Sequence, residues 1–224
     1  MERAEHLFTA EERDAVAAAV AEAERGTRAE IVPVVATVSG AYERAADLFG
    51  LATGLAGVAV LWAFQGIERT EAGWAPTFAP SIGLLPVLAV FLAGSLGGAW
   101  LASRAPVLQR PFLPAAVRRA QVERAARLAF QAFRVRRTAE GTGMVLYVSL
   151  FERMVCVLGD DAVAAELAAP DWESVRDAVL DGMARGDPAG GLRAGIATAG
   201  DLLKLRLPGR ADDVDETHNT LRIL

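Results

Sequence analysis

The chain is poor in the residues that most often carry catalysis or bind metals. One cysteine, Cys156, in 224 residues excludes an intrachain disulfide and a thiolate-held metal cluster. The two histidines, His6 and His218, lie near opposite ends, neither with a partner at ligand spacing. Lysine occurs once, at Lys204, so arginine supplies almost all the positive charge, which reads as a bias of composition. The P-loop, the dinucleotide fingerprint G-x-G-x-x-G after a strand, the nucleophile elbow G-x-S-x-G and the zinc motif H-E-x-x-H are all missing. A formal net charge of −5 argues against general nucleic-acid binding. The opening "MERAEHLFTAEERDAV" scatters charges where a signal peptide needs an apolar core. The first residues are therefore expected to stay on the side of the membrane where they are made.

What the chain has in excess is apolar residues. They make up 53% of it, with a mean hydropathy of +0.28, while charged residues stay near the average for soluble domains. The excess is concentrated in two runs. "LFGLATGLAGVAVLWAFQGI", residues 48–67, and "SIGLLPVLAVFLAGSLGGAWLAS", residues 81–103, contain no charge. At ~1.5 Å per residue each is about 30 Å or more long, enough to cross a hydrocarbon core as a helix. The connector "ERTEAGWAPTFAP" has one arginine, Arg69, whereas Arg28 and Arg44 precede the first span and Arg104, Arg110, Arg118 and Arg119 follow the second. The positive-inside rule places both termini in the cytoplasm of a two-span protein of the inner (plasma) membrane. Trp62, Trp74 and Trp100 fall near the expected interfaces.

Gly50 and Gly54 in the first span, and Gly94 and Gly98 in the second, are each four apart. Small residues at that spacing let helix backbones approach closely, either within the hairpin or between two copies of the chain. Neither span has an ionisable residue, which argues against a proton path or an ion-selective pore.

The rest of the chain reads as an α/β fold. Residues 1–47 supply a helix with a capping box at Thr9 and Glu12, a strand over 29–38 and a linker helix. Pro33 cannot donate to a strand ladder, so this strand is expected at an edge or with a bulge. Residues 104–224 begin with a helix from Pro114 to about Arg137. Its apolar face is Val122, Ala126, Ala129, Phe130 and Phe133, and Arg118, Arg119, Arg124 and Arg127 are among the arginines covering the rest. Two readings stand for that basic cover: contact with anionic lipid headgroups, and plain solvation. "GMVLYVSL" and "MVCVLGD" are apolar at successive positions, as central strands of an antiparallel hairpin would be. Cys156 in the second is expected as an inert core thiol. Helices capped by Asp171 and Asp187 follow, then an acidic tail. The sum is a small layered α/β/α domain with a mixed sheet, interrupted by a two-helix transmembrane hairpin at 48–103.

The remaining candidates for chemistry are acids. Asp160 and Asp161 leave the second hairpin strand and begin "DAVAAEL". One carboxylate can cap the helix start. The second could join Asp212, Asp213, Asp215 and Glu216 of the tail in an oxygen-ligand site for Ca²⁺ or Mg²⁺.

Taken together, "RTAEGTGMVLYVSLFERMVCVLGDDAV", the Trp172 helix, "GDPAGGLRAGIATAGDLL", "ADDVDET" and the early "TRAEIVPVVATVSGAYE" resemble the TPM domain family, in particular bacterial versions split by a membrane hairpin. The resemblance implies a central sheet flanked by helices and divalent-cation binding at loop acids, with Asp160 and Asp161 at the corresponding acidic turn. Some members of that family are credited with weak acid-phosphatase activity, others with helping membrane complexes assemble. The chain is expected to depart from the pattern in its start, which reads as no signal sequence, and it reads "DETHN" where relatives often have Leu-Pro. The expected function is a non-catalytic interaction or assembly factor with a membrane-protein partner, self-association being one form of it. The alternative is a divalent-dependent phosphatase-like hydrolase acting through Asp160 and Asp161.

Overall fold

The computed structural model of the chain describes residues 3–64, 83–133, 141–209 and 220–224. It divides into two compact units, Met1–Gly40 with Ala115–Leu224, and Ala41–Pro114.

The first unit is built on a four-stranded mixed sheet of order β3-β2-β1-β4. Strand β1 (Glu30–Ala36) runs parallel to β2 (Gly143–Ser149), in register from Glu30 against Gly143 to Ala36 against Ser149. Strand β3 (Met154–Gly159) returns antiparallel to β2, and the short β4 (Arg222–Ile223) lies parallel to β1. Ile31, Val35, Met144, Leu146 and Val148 point to one face of the sheet, Val32, Val34, Ala36, Val145 and Tyr147 to the other. This two-sided burial is why β1 and β2 read as continuous apolar runs instead of alternating ones.

On the first face lie α2 (Ala10–Glu24), α7 (Ala169–Ala184) and α8 (Pro188–Arg206), which contribute Val16, Val20, Val175, Val179, Leu192, Ile196 and Leu203. On the second lies α5 (Ala115–Ala132), through Val122, Ala126 and Ala129. The layering is α/β/α. Each fully buried Val, Leu or Ile contributes roughly 1.5–3 kcal/mol.

Local signals explain the helix ends. Thr9 Oγ1 accepts the amide of Glu12 at 3.2 Å while Glu12 Oε2 accepts that of Thr9 at 2.8 Å, closing the capping box. Asp187 Oδ1 accepts the Gly190 amide at 2.7 Å, with Pro188 in the first turn of α8. Helix α7 starts earlier than Asp171 suggests. Ala168 is its N-cap, and Asp171 acts from within the first turn by accepting the Ala168 amide at 2.9 Å.

Three expectations change. Strand β3 is an edge strand, half-buried along its length, not a central one. Its apolar run reflects cover on both faces by α5 and α7, and such cover does not require a hydrogen-bonded neighbour on each side. Strand β1 lies inside the sheet, and the one-to-one register through Pro33 against Leu146 shows no bulge. In a parallel pair, alternate residues turn their amides to opposite sides. The Glu30 amide donates to Thr142 on the β2 side, so that of residue 33 would face the other way. There β4 pairs only with Val34 and Val35, and the missing donor breaks no bond with β2. Finally, α1 (Ala4–Leu7) and β4 had no counterpart in the sequence reading, while Asp212, Asp213, Asp215, Glu216, Arg134 and Arg137 lie outside the described residues.

The second unit is a helical hairpin. Helix α3 (Glu43–Phe64) and helix α4 (Leu84–Arg104) have apolar windows of mean hydropathy 1.7 and 1.9, and each is long and apolar enough to cross a membrane. A 3₁₀ segment, Pro106–Phe112, folds back on the end of α4, where Gln109 Nε2 donates to the Ala102 carbonyl at 2.9 Å. That bond satisfies one of the carbonyls a helix end leaves free.

Candidate functional site

The acidic turn is the first sequence-predicted site. Asp160 is buried at the N-cap of α6 (Asp161–Glu166), its Oδ1 accepting the Asp161 amide at 3.0 Å, and Asp161 is exposed. The two carboxylates therefore face different surroundings. No group of three or more His, Cys, Asp or Glu side chains suited to a metal ion occurs among the described residues. A hard divalent cation takes about six oxygen ligands, with several of them commonly from protein.

Of the basic residues on α5, Arg119, Arg124 and Arg127 are exposed and Arg118 is half-buried. Arg127 approaches Glu123 at 3.8 Å, an exposed pair of the kind worth under about 1 kcal/mol. Cys156 on β3 packs against the α5 layer. Burial, reinforced by the nearby Glu123 charge and opposed by Arg127, pushes its thiol up to about 11. At neutral pH it is a poor nucleophile.

In the hairpin the four glycines form one seam. A Cβ placed on Gly94 would lie 2.9 Å from the Gly54 Cα, and one placed on Gly98 would lie 3.1 Å from the Gly50 Cα. The Thr53 hydroxyl sits in the same seam, 2.8 Å from the Gly50 carbonyl oxygen and 2.9 Å from that of Gly94, so its one proton is shared between its own helix and the partner helix. Close backbone approach and an interhelical hydroxyl are the usual means of holding helices together where lipid removes the hydrophobic drive.

A second polar site was not anticipated. Where β1 and β2 end, Ser39, Tyr147, Ser149 and Glu152 form a connected chain. Ser39 Oγ donates to Ser149 Oγ at 2.7 Å and lies 3.0 Å from the Tyr147 hydroxyl. Ser149 Oγ donates to the Glu152 carboxylate, whose other oxygen accepts the Ser39 amide at 3.0 Å. Tyr147, Ser149 and Glu152 are each 1% exposed, while Ser39 is half-buried. Burial, together with the Glu152 charge, raises the Tyr147 phenol above its ordinary value, the Ser39 hydrogen bond opposing. The phenol stays protonated at neutral pH.

Local structure explains how a glutamate comes to be buried there. The turn "LFER" between β2 and β3 lacks the Asn-Gly or Gly that tight hairpins favour, and Arg153 takes a left-handed φ of 54°. Such a conformation costs of order 1–3 kcal/mol and persists when its surroundings hold it. Here the Phe151 amide donates to the Thr37 carbonyl at 3.0 Å, and Glu152 is turned inward onto the end of β1. A Cβ at Gly40 would lie 2.9 Å from Gln121 Cγ, so the absent side chain lets Gln121 pack against the backbone next to Ser39. The sequence signal for this site was the polar residues Ser149, Glu152 and Arg153 interrupting an otherwise apolar hairpin.

No family model matches the chain, and no curated protein matches it. Among solved structures it is similar to the NMR structure of BA42 protein from the psychrophilic bacterium Bizionia argentinensis, with a TM-score of 0.56 and 18% sequence identity over 97% of this chain and 95% of that one. At that identity the likeness is one of fold, and the fold it supports is the mixed α/β arrangement described above.

Proposed function

We propose that the chain is an inner-membrane protein in which the α3–α4 hairpin anchors a TPM-like α/β domain, and that it acts as an interaction or assembly factor for a membrane complex. The observation that carries the reading is the outward surface of the hairpin. Leu55, Trp62, Phe64, Leu85, Leu92, Leu96 and Trp100 are all exposed, and only 11% and 6% of the two apolar windows is buried. A water-soluble hairpin with that surface would aggregate, whereas in lipid the same surface is solvated. Arg104 stacks over Trp100 at 5.0 Å, a pairing suited to the membrane–water boundary.

Arginine placement favours a cytoplasmic domain. On that side the exposed arginines of α5 meet anionic headgroups, each worth about 1 kcal/mol close to the surface. The acidic turn favours the phosphatase alternative less, because Asp160 is engaged as the cap of α6.

The test is affinity purification of the tagged full chain from membranes in a mild detergent. Stoichiometric recovery of a membrane-protein partner is expected. Repeated recovery of the chain alone defeats the assembly role, and its release from membranes by alkaline carbonate defeats the anchoring.

A further inference from the structure

We propose that the corner where β1 and β2 end is an esterase-type site, with Ser39 as nucleophile and Ser149 relaying its proton to Glu152, for a neutral carboxylic ester. This goes beyond the assembly role and does not rest on it.

Three features of the geometry carry the inference. The hydrogen bonds run in one direction: since Ser39 donates to Ser149, and Ser149 to Glu152, the Tyr147 hydroxyl donates to Ser39. Such a chain is polarised toward its carboxylate end, and each bond strengthens the next. Exposure is graded along it as well. Glu152, Ser149 and Tyr147 are closed off from water, and Ser39 alone is half-buried. The location is the carboxyl end of a parallel strand pair, where open α/β sheets bind their ligands, and the turn beside it holds Arg153 in a strained conformation. The Gln121 side chain packs against Gly40, the residue next to Ser39.

In the reaction, Ser39 Oγ bonds to the acyl carbon while its proton passes to Ser149 and the Ser149 proton passes to the Glu152 carboxylate. The ester C–O bond breaks, and the leaving alcohol takes the proton back from Glu152 through Ser149. Water then attacks the acyl-serine by the same relay, releasing the acid and restoring the serine. The Tyr147 hydroxyl, held protonated, remains a donor to Ser39 Oγ throughout. A neutral ester suits the site, since a phosphate dianion would bring further negative charge beside the Glu152 carboxylate.

The experiment uses the full chain in detergent micelles, a fluorophosphonate probe and peptide mass spectrometry, with p-nitrophenyl butyrate hydrolysis in parallel. Fluorophosphonate attack forms a Ser–O–P bond and expels fluoride, so the adduct reports the nucleophile directly. An adduct on Ser39 is expected, lost in Ser39→Ala. Its rate of formation should fall about a hundredfold or more in Glu152→Gln and Ser149→Ala, the usual contribution of a general base. Ser149→Thr, which keeps the hydroxyl, should restore most of the rate. Absence of a Ser39 adduct in the wild-type chain overturns the proposal, as does an unchanged rate in a folded Ser149→Ala. Loss of folding in Glu152→Gln leaves the serine pair to decide.

Discussion

Two neighbouring glycines of α4 should respond in opposite ways to the same substitution. A methyl group on Gly98 would overlap the Thr53 hydroxyl, stand 3.0 Å from Thr53 Cβ and 3.1 Å from the Gly50 Cα, and force the helices apart. A methyl group on Gly97 would meet nothing within 4 Å. Overpacking of this kind costs about 1–3 kcal/mol. Displacing Thr53 also gives up its 2.9 Å contact with the Gly94 carbonyl, worth about 0.6 kcal/mol between membrane helices. The gain in helix propensity from Gly to Ala, up to about 1 kcal/mol, applies to both positions and cancels in the comparison. Gly98→Ala should therefore leave the hairpin about 2–3 kcal/mol less stable than Gly97→Ala does.

The antiparallel register sets Gly50 beside Gly98 and Gly54 beside Gly94, which brings residues 44 and 104 together. Pyrene labels on Arg44→Cys and Arg104→Cys, in a Cys156→Ala background, then report the intact hairpin as excimer emission during titration with sodium dodecyl sulfate. Equal midpoints for the two alanine variants would refute the packing argument. Greater damage from Gly97→Ala would move the seam to the other face of α4, and so to a second copy of the chain.

Two further outcomes concern the α/β unit. Asp160→Ala should lower its stability to urea by about 1 kcal/mol through loss of the α6 cap, and the exposed Asp161→Asn should cost less; an equal loss from both would make the pair a joint site. Cys156, with its thiol pushed up to about 11, should react with iodoacetamide at pH 8.5 about a hundredfold or more slowly than an unfolded control. Its raised folded-state value also has a consequence for stability. The protonated thiol favours the folded chain fully below the ordinary thiol range, and this contribution should fade as pH rises toward about 11. Denaturation midpoints from pH 8 to 11, compared with those of Cys156→Ala, check the sign.

Sequence alone determined whatever depends on near neighbours along the chain. The capping box at Thr9 and Glu12, the Asp187–Pro188 start of α8, the apolar stripe of α5 and the two long apolar helices all follow from contacts within a few residues. That one of the two aspartates caps α6 was legible for the same reason, and the structure assigns the cap to Asp160. Tertiary structure decided what depends on which strand lies beside which. It set β3 at the edge, gave Pro33 an open side on an inner strand, and drew Leu221 and Ile223 back against the core. It also joined Ser39 to Glu152 across 113 positions, a cluster that no linear motif could reveal. The physical reason is that hydrophobic runs record how many faces of a strand are covered, whereas pairing and polar closure are made by residues far apart in the chain.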